Sequence, residues 1–95
     1  MHPFSPMVVF YKTIADDARI NTTHISLYMA LVHQWSLNRG KNPITISRDN
    51  IMKTAKISAR YTYNKCINEL REYGYIRYIP SSNSLSGSIV YLISL

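Results

Sequence analysis

Between Thr22 and Asn38 the residues Ile25, Tyr28, Met29, Val32 and Trp35 form one stripe at helical spacing, and His24, Leu27, Leu31 and Asn38 form a second. Only a narrow face through Ser26, Ala30 and His33 is left for water, so the pattern predicts a central helix packed on more than one side. Thr22 or Thr23 is its expected N-cap, and Arg39 with Gly40 closes it. Trp35 lies on the apolar stripe and is assigned to the core rather than to stacking on a base. After the loop Lys41, Asn42 and Pro43, a short extended run from Ile44 to Ile46 leads to Ser47, the expected cap of a second helix over 48–55. Lys56 and Ile57 form a turn, Ser58 is placed as the cap of a third helix reaching Tyr73, and Gly74 takes the position just beyond its end. On that third helix Tyr63, Cys66, Ile67, Leu70 and Tyr73 share the core face, which turns Arg60, Tyr61, Asn64, Lys65, Asn68 and Arg71 outward.

After Gly74 the period becomes extended. Tyr75 to Ile79 and Ser88 to Ile93 read as the strands of a hairpin, joined by a loop rich in serine and turn formers from Pro80 to Gly87. Ile89, Tyr91 and Ile93 lie on one face of the last strand and Val90 and Leu92 on the other, although an edge hairpin normally shows water one face. Either another element or a partner must cover it. At the other end, Pro3 and Pro6 keep the chain extended, and Met7 to Ile20 joins an apolar run, Met7 to Tyr11, to a patch holding Asp16, Asp17 and Arg19. A short helix over about 8–18 is expected there, acting as a dimerisation or docking arm or as a lid over the core. Residues 1–20 are therefore set apart as an N-terminal extension from one domain over 21–95.

Charge sharpens this picture. Eleven Lys and Arg against five Asp and Glu give a formal net charge of +6, which favours nucleic acid or another anionic surface as partner. The excess is concentrated: no acid falls between Asp49 and Glu69, while Lys53, Lys56, Arg60 and Lys65 all do. The third helix carries its cations early and Glu69 and Glu72 late, against the order its dipole favours. A duplex phosphate backbone is the ordinary partner for such a surface; the alternative is a solvated face that happens to lack acids. A chain of 95 residues buries roughly 60–65% of its unfolded surface, enough for one modest core and poorly suited to an enclosed catalytic pocket. Hydrophobic content of 46% argues against disorder. The single Cys66 excludes an internal disulfide and fits a reducing compartment. With neither a signal-peptide pattern nor an apolar run longer than Leu27 to Val32, a soluble cytoplasmic protein is expected, without a membrane partner.

Catalytic and metal-binding patterns are not found. His24 and His33 fall on opposite faces of their helix and Cys66 has no neighbouring ligand in the sequence, so no metal is expected. Glu69 and Glu72 beside Lys65 and Arg71 read as a solvated charge cluster rather than a catalytic pair. Gly40, Gly74 and Gly87 build no phosphate loop, and the serines lack a nucleophile-elbow sequence. No enzyme, cofactor or small-molecule substrate is expected.

Helix, short strand, helix, tight turn, helix and hairpin, in that order, is the arrangement of an α+β winged helix-turn-helix with a three-helix core and a C-terminal hairpin wing. The phrases HISLYMALVHQW, NPITISRDNIM, TYNKCINELREYGYI and GSIVYL carry a resemblance over Thr23 to Leu92, about three quarters of the chain, to bacterial winged-helix DNA-binding proteins. Most similar are small helix-turn-helix proteins of phage and mobile-element type from Bacteroides-like bacteria. The resemblance implies a recognition helix over about 58–73 in the major groove, with Arg60, Tyr61 and Asn64 reaching base edges. Lys53, Lys56, Ser58, Lys65 and Asn68 are expected at phosphates, and Ser82, Asn83, Ser84 and Ser86 of a wing over about 80–87 at phosphate or minor groove. Ser86 stands where such proteins commonly carry a lysine, which weakens the electrostatic case for the wing tip. The implied role is transcriptional regulation, or replication and maintenance of a mobile element; the alternative is a winged-helix interaction module in a larger assembly. RNA is the weaker partner, since Tyr61 alone offers an outward aromatic platform. The apolar last strand and Met7 to Tyr11 favour a homodimer.

Overall fold

A computed structural model describes residues 6–81 and 87–93. Within them the order is α1 (Pro6–Ile14), α2 (Thr22–Leu37), β1 (Ile44–Ile46), α3 (Arg48–Ala55), α4 (Arg60–Glu72), β2 (Ile76–Ile79) and β3 (Ser88–Leu92). The architecture is α+β: among the described residues, four helices pack with one antiparallel sheet of strand order β1-β3-β2. No described helix is long and apolar enough to cross a membrane.

Helix α2 is the hub, with Leu27, Tyr28 and Leu31 buried against the other helices and the sheet. Its N-cap is Asn21, not Thr22 or Thr23. Asn21 Oδ1 accepts the amides of Thr23 and His24 at 3.0 and 3.2 Å, and the Asn21 amide donates to His24 Nδ1 at 3.1 Å. The box is closed by histidine where Glu or Gln is usual, and asparagine outranks threonine as a cap. Ala30, expected at water, is buried, because α3 packs on that side. The Ser26 hydroxyl donates there to the Ala55 carbonyl at the end of α3, so the small side chains on this face let two backbones approach.

Helix α1 starts at Pro6, a residue whose fixed φ suits a first helical position, and ends at Ile14, short of the expected 18. Asp17 turns back to accept and donate backbone bonds at Ile20 and Ile14, which stops the helix. Phe10 is its one buried residue and lies in the core, stacked on Tyr28 with centroids 3.9 Å apart and edge-on to Tyr75 at 5.3 Å. Such aromatic pairs contribute about 0.5–1.5 kcal/mol each beyond their buried area. The segment therefore covers the core, while Met7 and Tyr11 stay exposed.

The last strand is central in the sheet rather than an edge. Ile44 and Ile46 of β1 pair with Val90 and Ser88, and Ile76 to Ile79 of β2 pair with Leu92 to Ile89. Asn42 extends the β1 side, its Nδ2 donating to the Leu92 carbonyl at 2.9 Å and its Oδ1 accepting the Leu92 amide at 3.0 Å. Val90 and Leu92 point into the core, whereas Ile89 and Tyr91 on the other face are half-buried beside Thr45, Arg77 and Ile79. Both faces are thus apolar for separate reasons, one as core and one as a sheet surface screened by its cross-strand neighbours.

Two backbone positions control the connections. Lys56 ends α3 in the left-handed region at φ 63°, letting the Ile57 amide bond the Met52 carbonyl at 2.9 Å while Ile57 buries its side chain. That closure keeps the chain extended through Ala59, so α4 begins at Arg60 with Ala59 as a cap lacking any side-chain bond, and Ser58 stays exposed in the turn. Gly87 enters β3 at φ +72°, and a Cβ there would lie 2.9 Å from the Ile46 carbonyl oxygen. A left-handed conformation costs a non-glycine residue about 1–2 kcal/mol, so Lys56→Gly is expected to stabilise the fold by up to about 1 kcal/mol and Gly87→Ala to destabilise it by at least about 1–2 kcal/mol. Urea unfolding midpoints of the two variants measure these opposite shifts.

Candidate nucleic-acid interface

Lys53 on α3, Lys56 in the turn, and Arg60 and Lys65 on α4 are all exposed, as is Ser58 between them. Among the described residues Lys53, Lys56 and Arg60 form no ion pair, so their charge is available to an outside anion. The nearest acid in sequence, Asp49, is itself exposed and lies 3.6 Å from Arg48. Because Ala59 provides no side-chain cap, the first amides of α4 lack a side-chain acceptor from their N-cap. Helix α4 is fixed from behind by Tyr63, Cys66, Ile67 and Leu70, all buried, which leaves Arg60, Tyr61, Asn64 and Lys65 exposed on its front. Tyr61 is 76% exposed. Asn68 is half-buried and already gives one amide proton to the Asn64 carbonyl at 2.8 Å, leaving a single N–H for any phosphate. Ser82, Asn83, Ser84 and Ser86 lie outside the described residues.

The back of α4 carries chemistry that local spacing does not reveal. His24 Nε2 lies 2.9 Å from Glu69 Oε1, and His24, Cys66 and Glu69 bring their ligand atoms within 4.8 Å of one another. Cys66 therefore does have neighbouring ligand types, 42 residues away on α2 and one turn along α4. Their arrangement nevertheless suits a hydrogen-bonded group better than a metal. His24 Nδ1 accepts from the Asn21 amide and is thus unprotonated, so the neutral ring carries its proton on Nε2 and donates it to Glu69. A metal on Nε2 would need that proton moved to Nδ1, which would lose the bond from the Asn21 amide, the reciprocal half of the α2 capping box; metal-binding histidines ordinarily donate from their second nitrogen. Burial also pushes the Cys66 thiol pKa up, away from the thiolate that a metal requires.

Glu69 is consequently not part of a solvated charge cluster. Its second oxygen accepts from the Tyr73 hydroxyl at 3.3 Å, and the Arg19 guanidinium lies over the Tyr73 ring at 4.1 Å. Arg19 also makes two 2.8 Å bonds to Asp17, whose Oδ2 accepts from the Tyr75 hydroxyl at 2.7 Å. The loop between α1 and α2 is in this way tied to the end of α4 and the start of β2. The Arg19 and Tyr75 hydrogen bonds hold the Asp17 carboxyl far below the usual range, and the His24 bond lowers that of Glu69. Tyr75 is pushed up to about 12, chiefly by burial and then by its bond to Asp17.

No family model, no curated protein and no solved structure matches the chain.

A carboxyl whose pKa is lowered on folding stabilises the protein fully above its ordinary value, 3.8 for Asp17 and 4.5 for Glu69, and loses that contribution as pH falls through the lower folded-state value. Asp17→Asn and Glu69→Gln should therefore each lower the thermal midpoint at pH 7, and the gap to the parent should narrow from about pH 5 downward, with that of Asp17→Asn still partly open at about pH 2. Melting curves across that range check it; a gap that stays constant with pH would show that neither carboxylate is stabilising in its charged form.

Proposed function

We propose that the chain is a duplex-DNA-binding module of the winged helix-turn-helix type, using α3, the turn and α4. The observation that carries this reading is that Lys53, Lys56, Arg60 and Lys65 are all exposed within a stretch that holds no acid, around a helix start without a side-chain cap. Phosphates supply what both features lack, namely anions and hydrogen-bond acceptors. The order α2, β1, α3, α4, β2, β3, with β1 joined to the last strand, suits the winged-helix assignment.

In this reading the exposed front of α4 enters the major groove, with its first turns nearest the bases. Arg60 is suited to guanine O6 and N7, Asn64 to adenine N6 and N7, and Tyr61 lies between them. Lys53, Lys56, Ser58 and Lys65 hold phosphates and set the register, with the remaining amide proton of Asn68 in support. The module has no catalytic role and serves transcriptional regulation or the maintenance of a mobile element, as the resemblance implies. Exposed Met7 and Tyr11 on α1 and Ile79 on β2 support a second reading, a protein-interaction module or homodimer, which leaves the basic surface without a task.

If Lys53, Lys56, Arg60 and Lys65 each neutralise a phosphate, duplex affinity should fall with salt at a log–log slope of about −3 to −4 per protomer, near −0.9 per contact. Lys53→Ala and Lys56→Ala should each reduce the magnitude of that slope by about one, and Lys41→Ala should leave it unchanged. Fluorescence anisotropy over a salt series measures these slopes. Equal effects of Lys41 and Lys53 changes would assign the attraction to general basicity and favour the interaction reading.

A further inference from the structure

Among the described residues, the large apolar side chains left most open are Met7, Tyr11, Leu37, Tyr61 and Ile79, with exposures of 40, 46, 66, 76 and 49%. Tyr61 is the extreme case, and the only one placed among the cations of the α3–α4 surface. Its ring makes no aromatic, cation or hydrogen-bond contact with any described residue. It stands on the first turn of α4, directly after Arg60 and one turn before Asn64 and Lys65. An aromatic ring held open to water by a well-anchored helix gains by burial against an apolar surface, whereas its polar neighbours gain by pairing with charges and acceptors.

A major groove offers acceptors, donors and one apolar group, the C5-methyl of thymine. Residues three apart on a helix are neighbours on its surface, so Tyr61 and Asn64 face adjacent positions of any ligand. An A·T pair presents an adenine edge that suits Asn64 and, across the same pair, the thymine methyl that suits the Tyr61 ring. Building on the DNA-binding reading above, we infer that Tyr61 is a specificity-determining residue that packs on a thymine methyl in the major groove, so that the ligand is duplex DNA in which that thymine pairs with the adenine read by Asn64. The same contact rejects cytosine, which lacks the methyl, and double-stranded RNA, which lacks both the methyl and an accessible major groove.

The experiment starts from duplexes selected by the intact chain from a random DNA library. Each thymine of an enriched site is replaced in turn by deoxyuridine, which removes one methyl and leaves every hydrogen bond of the base pair in place. The expected result is a loss of about 3- to 10-fold in affinity at one thymine per protomer, the scale of burying a single methyl with its contacts. That loss should vanish in Tyr61→Ala and persist in Tyr61→Phe, which keeps the ring and discards the hydroxyl. If the selected site tolerates deoxyuridine everywhere, or if the loss is the same in Tyr61→Ala, the inference is overturned while DNA binding stands. If selection enriches no duplex at all, the DNA reading itself fails and the inference falls with it.

Discussion

Strand β3 holds both ends of the basic helical pair. Strand β1 runs through Ser47 into α3, α4 runs through Gly74 into β2, and both strands pair with β3, at Ile44↔Val90 and Ile76↔Leu92. The unit from 47 to 75 is therefore a loop closed at its base by one five-residue strand, and the orientation of Lys53, Lys56 and Arg60 is inherited from that pairing. This is also why Gly87 cannot carry a side chain without disturbance: it brings the backbone onto the Ile46 carbonyl where β1 ends and α3 is about to start. The Asn42 side chain lengthens the clamp by two hydrogen bonds to Leu92 without adding a strand residue.

Helix α4 has two faces with separate tasks. Its front is open and basic, with no acid on it before Glu72 in the last turn, and Arg60, Tyr61 and Lys65 are all exposed there. Behind it, apolar side chains seat it on α2, and Glu69 with Tyr73 links it to His24, Arg19 and Asp17. This accounts for part of a charge order that opposes the helix dipole. Glu69 lies late in the helix because its partner, the start of α2, is there, and the hydrogen bond from a buried histidine outweighs the few tenths of a kcal/mol that the dipole takes away. For Glu72, which is exposed, the structure gives no such reason. A helix anchored this firmly can present a rigid surface, which limits the ordering cost of binding.

Much of this was legible in the sequence where the signal is local. The core face of α4, the Ser47 cap, the position of Gly74 and the two hairpin strands follow from spacing and turn chemistry, and the backbone bond from Ile93 to Tyr75 even restores the expected strand ends. Failures came where contacts join distant residues or where an unusual residue fills a familiar role. Histidine in a capping box hid Asn21, and the left-handed closure at Lys56 moved the start of α4 past Ser58. The pairing of β1 with β3, the burial of Phe10 on Tyr28 and the His24–Glu69 bond span 18 to 45 positions of sequence or more, and no period reports them. The candidate DNA surface was readable because an absence of acids over nineteen consecutive residues is itself a local pattern.

The central claim is that the α3–turn–α4 surface, and not the molecule's overall positive charge, is where DNA binds. It is tested most directly by titrating the ¹⁵N-labelled chain with a short DNA duplex and following its backbone amide resonances. The account predicts that shifts and broadening concentrate at Lys53, Lys56, Arg60, Tyr61, Asn64 and Lys65, while Asp17, His24 and Tyr73 on the opposite side of α4 stay in place. Perturbations centred on Met7 and Tyr11 or on Ile79 and Tyr91, or spread evenly over every cation, would contradict it.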